Sequence, residues 1–336
     1  MAHDPSSFRS ILVPLDGSPF AEQAVPLAAR IAERAGSKLR LALVHELPPA
    51  PIDPVGAKLF TSIELATRKS ERSYLRAIQG RLREDGMRLS SAVTLRGSPG
   101  PALAQYVREM SLDLVVMSTH GRGGVRRAWL GSVADYLIRN LEVPVLLVRP
   151  RESAPASARP AASGQILVPL DGSRLAEEAL GPAMSLARAW DAELARLQVV
   201  RPILLSADPS LPLPLPSAFD EEIATMWRTQ AQDYLDDIVE KLHEQGIRAS
   251  GVASLGWYAA DSILEAARPE RVAAIAIATH GRGGLRRLVL GSVADKVVRG
   301  ADVPVLVYRP AGRGAAQKRL TQRTGSRGRR ATQGGK

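Results

Sequence analysis

The sequence THGRGGVRRAWLGS at Thr119–Ser132 returns almost unchanged as THGRGGLRRLVLGS at Thr279–Ser292. In both places the glycine-rich stretch follows an apolar run and precedes a segment whose apolar residues have helical spacing. A glycine-rich loop that opens a helix is typical of phosphate sites, because it presents backbone N–H groups at the positive end of the helix dipole. The chain therefore carries two copies of one candidate anion-binding loop.

The duplication covers most of the chain. The block ILVPLDGS stands at Ile11–Ser18 and again at Ile166–Ser173, and VPVLLVRP at Val143–Pro150 matches VPVLVYRP at Val303–Pro310. Each repeat has about 140 residues, the size of one domain rather than of a solenoid repeat. We expect a first domain at 8–150, a low-complexity linker at 151–163, a second domain at 164–310 and a tail at 311–336.

Within the first repeat, apolar runs of strand length alternate with segments of helical periodicity. The predicted strands and helices are Ile11–Leu15 (strand), Ala21–Ala35 (helix), Leu39–Val44 (strand), Thr61–Glu84 (helix), Ala92–Leu95 (strand), Pro101–Met110 (helix), Leu112–Met117 (strand), Ser132–Asn140 (helix) and Val143–Val148 (strand). Such alternation indicates a parallel sheet with helices on both faces and right-handed crossovers. The fold class is thus α/β: two tandem doubly wound, Rossmann-like domains, each with a five-stranded, mainly parallel sheet.

Composition excludes several classes of protein. The chain has no cysteine, so it has no disulfide, thiolate metal site or cysteine nucleophile. No apolar run approaches the roughly 18 residues of a membrane span, and the N-terminal MAHDPSSFRS lacks the features of a signal peptide. We therefore expect a cytoplasmic protein without a membrane partner.

The net charge of +11 is concentrated at one end of the chain. Residues 311–336 contain eight basic side chains and no acidic one, which leaves +3 for residues 1–310. The tail is rich in Gly, Gln, Thr and Ser, and we expect it to be disordered. It could contact RNA or acidic surfaces weakly, or it could be a solvated segment without a partner.

The Asp-Gly-Ser sequence at the end of each opening block has two interpretations. Ser18 and Ser173 fit the N-caps of the helices that follow, so the sequence could serve only a turn and a cap. Asp16 and Asp171 also follow the first predicted strand of each copy, where ligands of parallel sheets bind. A carboxylate there could accept hydrogen bonds from a ribose or a base.

The glycine loops favour phosphate binding, although turn glycines would explain a single loop about as well. Nine residues separate Gly121 from Gly131, and Gly131-Ser132 begins the last helix; Gly281 and Gly291-Ser292 repeat this spacing. Neither loop has the Gly-Lys-Ser/Thr of a P-loop or the GxGxxG of a dinucleotide dehydrogenase. No His/Asp/Glu cluster with metal-ligand spacing surrounds His120 or His280, which stand beside the loops.

With these motifs the chain resembles a tandem universal stress protein, whose nucleotide motif is G-x2-G-x9-G-S/T after an aspartate that follows the first strand. The resemblance implies ATP binding, which could include Mg²⁺. In the first copy it implies a site at Pro14, Asp16, Val44, Glu46, Ser118, Gly121, Arg122, Gly131, Ser132 and Val133. In the second copy the matching residues are Pro169, Asp171, Val199, Ala278, Gly281, Arg282, Gly291, Ser292 and Val293. The chain departs from the motif at its first glycine, which is Ser118 in one copy and Ala278 in the other.

The resemblance also implies how the copies meet and what they do. Val143–Val148 and Val303–Tyr308 would pair antiparallel across a pseudo-twofold axis, and the tandem unit could form a homodimer. No general base or transfer lysine stands near the predicted phosphates. We therefore expect a nucleotide-dependent switch that an unknown protein partner senses, rather than an enzyme. A scaffold or chaperone that binds no nucleotide, and a slow ATPase, are the alternatives.

Overall fold

The computed structural model describes residues 8–47, 53–87, 89–119, 130–150, 164–190, 192, 194–201, 218–256, 258–268, 271–279 and 290–310. The elements of the first copy are β1 (Ser10–Leu15), α1 (Pro19–Glu22), α2 (Val25–Ala35), β2 (Lys38–His45), α3 (Pro54–Glu84), β3 (Leu89–Arg96), α4 (Pro99–Glu109), β4 (Leu114–Ser118), α5 (Ser132–Asn140) and β5 (Val145–Val148). Those of the second copy are β6 (Gln165–Leu170), α6 (Arg174–Glu177), α7 (Leu180–Trp190), β7 (Leu194–Arg201), α8 (Ala218–Glu244), β8 (Ala249–Leu255), α9 (Ala259–Ala266), β9 (Val272–Ala278), α10 (Ser292–Gly300) and β10 (Val305–Tyr308). The predicted α/β alternation is confirmed.

Two helix predictions were wrong in detail. The predicted helix at Ala21–Ala35 is divided into α1 and α2, because Pro26 has no N–H to continue the helical ladder. Helix α3 begins seven residues before the predicted Thr61. The Asp53 carboxylate caps it, accepting from the Gly56 N–H at 2.6 Å, and Pro54 occupies its first position.

All ten strands form one sheet in the order β3-β2-β1-β4-β5-β10-β9-β6-β7-β8. Neighbouring strands are parallel except at the centre, where β5 and β10 run antiparallel with Leu146 opposite Leu306. The predicted antiparallel pairing of the last strands is therefore confirmed. It joins the two copies into one continuous sheet with β3 and β8 at its outer edges.

Helices cover both faces of the sheet. Helices α2, α3, α7 and α8 pack on one face, and α4, α5, α9 and α10 pack on the other. The core between the sheet and helices α2, α3, α7 and α8 crosses the junction between the copies. Leu146 and Leu306 are both buried in this core, together with residues of both domains. Within the described residues, no helix is long and apolar enough to cross a membrane.

Candidate functional site

The carboxyl ends of β1 and β4 lie side by side in the first copy. Ile11 and Leu12 pair with Leu114 and Val115, and this register continued along the strands brings Leu15 beside Ser118. The chain leaves β1 toward α2 on one face and leaves β4 toward α5 on the other. Such a switch in direction opens a crevice at the ends of the strands, where ligands of this architecture bind.

The second copy repeats the arrangement with β6 and β9. Ile166 and Leu167 pair with Ala274 and Ile275 in the same parallel sense. The chain leaves β6 toward α7 and leaves β9 toward α10, again on opposite faces. The fold therefore provides two equivalent crevices.

Asp16 organises the turn on one side of the first crevice. Its Oδ1 atom accepts from the Ser18 N–H at 2.9 Å and from the Ser18 hydroxyl at 2.6 Å. The Ser18 Oγ atom in turn accepts from the Ala21 N–H at 3.2 Å, and Gly17 allows the tight turn with a φ of 83°. Asp16 is partly exposed, so a carboxylate at the strand end borders the crevice.

The equivalent turn in the second copy has the same geometry. The Asp171 Oδ1 atom accepts from the Ser173 N–H at 2.9 Å, and the Ser173 Oγ atom accepts from the Ala176 N–H at 3.2 Å. The capping role predicted for Ser18 and Ser173 is confirmed. In both turns the Oδ1 atom of the aspartate accepts from the backbone N–H of the capping serine.

The far side of each crevice is the start of the last helix. Gly131 is the N-cap of α5, and its N–H donates to the Thr119 carbonyl at 2.8 Å. A Cβ atom on Gly131 would lie 3.1 Å from that same oxygen, so a side chain would crowd the junction. The Gly291 N–H donates likewise to the Thr279 carbonyl at 2.8 Å. These hydrogen bonds hold the first and last residues of each glycine loop together.

The N-cap residues of α5 and α10 are glycines, which have no side chain with which to cap the helix. The acidic residue in each first turn is engaged elsewhere, since Asp135 accepts from Arg139 at 2.8 Å and Asp295 accepts from Arg299 at 2.7 Å. Ser132 is exposed and Val133 half-buried at the start of α5, and Ser292 and Val293 show the same exposure in α10. Each helix therefore presents first-turn amides and the positive end of its dipole, an arrangement suited to an anion.

The predicted residues on the strands lie around the same ends of the sheet. Pro14 and Pro169 are buried one residue before the last residue of β1 and β6, and Ser118 and Ala278 are buried at the ends of β4 and β9. Each copy therefore has one proline and one small residue buried at these strand ends. Val44 is half-buried near the end of β2, and Glu46 is exposed just beyond it.

The strand register shows how the second strands of the two copies correspond. Leu15 of β1 pairs with Leu43, whereas its counterpart Leu170 pairs with Val199. Val199 thus corresponds to Leu43, and Val200 is the counterpart of Val44. The predicted Val199 and the neighbouring Val200 both lie near the end of β7.

Four predicted loop residues, Gly121, Arg122, Gly281 and Arg282, lie outside the described residues.

The structure also brings together a pair that the sequence analysis did not single out. His45, at the end of β2, is buried with its Nδ1 atom 3.0 Å from both carboxylate oxygens of Glu71 on α3. Glu64 lies near its other ring nitrogen, with Oε1 4.0 Å from Nε2. The pair fixes the long helix α3 to the strand end beside the crevice. A polar residue ending an apolar strand is a weak signal for such a contact.

A tyrosine on each long helix meets a glutamate beside the aspartate turn. The Tyr234 hydroxyl donates to Glu177 at 2.9 Å, and Tyr74 lies by Glu22 in the first copy. Burial, followed by the charge of Glu22, raises the pKa of Tyr74 far above its ordinary value. The Tyr234 phenol therefore connects the long helix α8 to the short helix α6.

Comparisons with known proteins agree with this architecture. The model of the universal stress protein family matches residues 7–149 and again residues 163–309. Universal stress protein Rv1996 of Mycobacterium tuberculosis H37Rv is 29% identical over 319 residues, which cover 89% of this chain and 94% of that protein.

Solved structures show the same fold. The crystal structure of a universal stress protein from Archaeoglobus fulgidus DSM 4304 superposes with a TM-score of 0.59 at 17% identity, covering 90% of this chain and 98% of that one. A functionally unknown protein, PA1789 from Pseudomonas aeruginosa PAO1, gives 0.59 at 20% identity, covering 91% and 94%. The family model thus matches two successive segments that together make up most of the chain, and this protein belongs to the universal stress protein family as a tandem of two such domains.

Proposed function

We propose that the protein binds adenine nucleotide, with ATP as its principal ligand, in the two crevices at the ends of β1 and β4 and of β6 and β9. One observation carries the proposal: each copy sets a carboxylate turn opposite a helix N-terminus whose N-cap is a glycine and so provides no capping side chain. A nucleoside phosphate has the matching groups, namely sugar hydroxyls that donate and phosphates that accept.

The phosphates would bind at the helix starts. The N–H groups of Ser132 and Val133, with the Ser132 hydroxyl, would donate to phosphate oxygens, and Ser292 and Val293 would do the same in the second copy. The dipole adds the equivalent of about half a positive charge at each site. The sequence prediction adds the loop residues Gly121, Arg122, Gly281 and Arg282, and Mg²⁺ would accompany the triphosphate.

The adenosine would lie on the opposite side of each crevice. Asp16 and Asp171 would accept from ribose or base donors through their carboxylates. The half-buried Val44 would provide apolar surface for the base, and the strand register assigns the equivalent position to Val200. The exposed Glu46 marks the solvent side of this wall.

We further propose that the protein works as a nucleotide-dependent switch for a protein partner. The first-turn amides bind phosphate in the ground state as well as in a transition state, and uniform binding does not accelerate hydrolysis. Hydrolysis would then be slow, and binding would favour one arrangement of the loops. Because β5 and β10 join the crevices through one sheet, both sites would act on a single body.

The experiment is a titration of nucleotide-free protein with Mg·ATP, together with mass spectrometry of any nucleotide released from gently purified protein. Asp16→Asn with Asp171→Asn is the informative variant, because asparagine keeps the Oδ1 acceptor of the turn but loses the charge and the second acceptor oxygen. We expect weakening of about 10-fold or more, the loss of one charged hydrogen bond per site. Wild-type affinity in this variant would exclude the aspartates from the site.

A scaffold that binds no nucleotide is the second candidate, and one observation favours it. Ser118 and Ala278, both buried at strand ends, replace the first glycine of the family motif. If side chains there close the crevices, folded protein will show no heat with ATP at millimolar concentration. Mutating both to glycine would then create binding where none existed.

A further inference from the structure

The long helices α3 and α8 hold equivalent places in the two copies but carry opposite charge. Residues 68–84 of α3 contain six basic and two acidic residues, a net charge of +4. The equivalent residues 228–244 of α8 contain two basic and five acidic residues, a net charge of −3. One end of the molecule is therefore basic where the other is acidic.

These charges lie at the outer ends of the sheet. Helix α3 packs on β3 and α8 packs on β8, which are the two edge strands. The Gln232 side chain reaches past its helix to the outer edge of β8, where it donates to the Gly251 carbonyl and accepts from the Ala253 N–H, both at 3.1 Å. Arg72 of α3 occupies the position equivalent to Gln232 of α8. The side of α3 that carries Arg72 therefore lies at the opposite end of the molecule, beside the edge strand β3.

The basic flank, defined here as Arg68, Lys69, Arg72 and Arg76, is a continuous surface. Together with Leu65 and Ser73 it lines a groove of about 280 Å³. Lys69, Arg72 and Arg76 are exposed, and Leu65 exposes 62% of its surface beside them. The groove thus combines apolar surface with a row of cations one helical turn apart.

The acidic flank, defined here as Asp233, Asp236 and Glu240, occupies the corresponding side of α8, and all three residues are exposed. The strand edge beneath it is covered by Gln232 and by His243, whose Nε2 atom lies 3.1 Å from the Ala249 carbonyl. A second molecule cannot form strand-to-strand hydrogen bonds with these backbone groups of β8, because side chains of α8 already occupy them. It would contact the side chains of α8 instead.

We propose that the protein associates head to tail, with the basic flank of one molecule docked on the acidic flank of a second copy. Two basic ends repel each other, as do two acidic ends, so a contact between unlike ends is the favoured one. An interface between unlike surfaces leaves one free flank of each kind, and it grows into chains or closes into rings.

Electrostatics sets the expected strength of this contact. Exposed ion pairs contribute about 0–1 kcal/mol each, so the association relies on several pairs together. The Debye length falls from roughly 10 Å at 0.1 M salt to about 3 Å at 1 M, which screens such pairs. Head-to-tail association is therefore weak, and salt dissociates it.

The test is sedimentation or light scattering of nuclease-treated full-length protein over a range of concentrations at about 0.05 M and about 1 M salt. At low salt the average mass should rise continuously with concentration, and at high salt it should return to that of a single chain. Protein that stays monomeric at low salt would overturn the proposal. So would association that disappears on nuclease treatment, which would mean bridging by nucleic acid.

Charge reversal identifies the surfaces. Arg72→Glu with Arg76→Glu, and separately Asp233→Lys with Glu240→Lys, should each weaken association more than tenfold. An equimolar mixture of the two variants should restore it, because each altered flank then meets a complementary one. The control Arg108→Glu with Lys296→Glu changes the charge by the same amount as the first variant on the opposite face, and it should associate like wild type. Equal effects of control and flank variants, or failure of the mixture to recover, would contradict the assignment.

Discussion

Proline at the first position of α5 and α10 tests the phosphate site with little disturbance of the fold. Ser132→Pro with Ser292→Pro removes one N–H and one hydroxyl from each helix start. Proline is favoured at the first helical position, because the N–H group that it lacks would have no partner within the helix. The preceding residues already have the extended backbone that proline requires, with φ −66° and ψ 151° at Gly131 and φ −57° and ψ 148° at Gly291.

The expected size of the effect follows from the number of donors removed. An N–H that donates to a charged phosphate contributes about 1.5–3 kcal/mol, or roughly 10-fold to 150-fold in affinity. The matched control, Ser132→Ala with Ser292→Ala, loses the hydroxyls and keeps the amides. The proline variant should therefore bind Mg·ATP at least about tenfold more weakly than the alanine variant.

Titration calorimetry with Mg·ATP measures both variants, and circular dichroism verifies that each is folded. If the folded proline variant binds ATP with the affinity of the alanine variant, the amides at the helix starts do not hold the phosphates. The proposed orientation of the nucleotide would then be wrong.

Three further predictions concern the core, the buried tyrosine and catalysis. Leu306→Ala should lower the free energy of unfolding, measured by chemical denaturation, by about 2–5 kcal/mol, because Leu306 is 1% exposed and lies opposite Leu146. A loss below about 0.5 kcal/mol would contradict the shared core. Because the pKa of Tyr74 is raised in the folded state, the folded protein keeps the Tyr74 proton above pH 10, where the unfolded chain has released it. The free energy of unfolding should therefore fall as pH rises beyond 10, and it should fall less steeply in Tyr74→Phe. Equal pH dependence in the two proteins would contradict this. ATP turnover by protein freed of contaminating ATPases should stay far below the roughly 1–100 s⁻¹ of kinases, and turnover above about 1 s⁻¹ that is lost in Asp16→Asn with Asp171→Asn would make the protein an enzyme.

Much of the fold could be predicted because the decisive signals are local and duplicated. Helix α5 has the predicted bounds Ser132–Asn140, since a glycine and a serine mark its start and its apolar spacing is regular. The pairing of β5 with β10 followed from the family resemblance. The break at Pro26 and the early start of α3 at Asp53 depend on how proline and a carboxylate meet a particular backbone turn, which periodicity does not report.

The candidate site was predicted unevenly. The turns at Asp16 and Asp171 and the helix starts at Gly131 and Gly291 lie where strand order and capping rules put them. Val199 was predicted only as a residue near the end of the second strand, and its alignment with Leu43 of the first copy required the strand register.

Two features required the tertiary structure. The contact between His45 and Glu71 joins residues on different elements, and each is unremarkable in its own segment. The opposite charges of α3 and α8 predict an association between molecules only once the ten-stranded sheet is known to place the two helices at its opposite ends.

The central claim is that each crevice holds one adenine nucleotide, and equilibrium dialysis of nucleotide-free protein against labelled ATP with Mg²⁺ tests it most directly. The account predicts saturable binding that approaches two nucleotides per chain. Folded protein that shows no saturable binding up to millimolar ATP would contradict it.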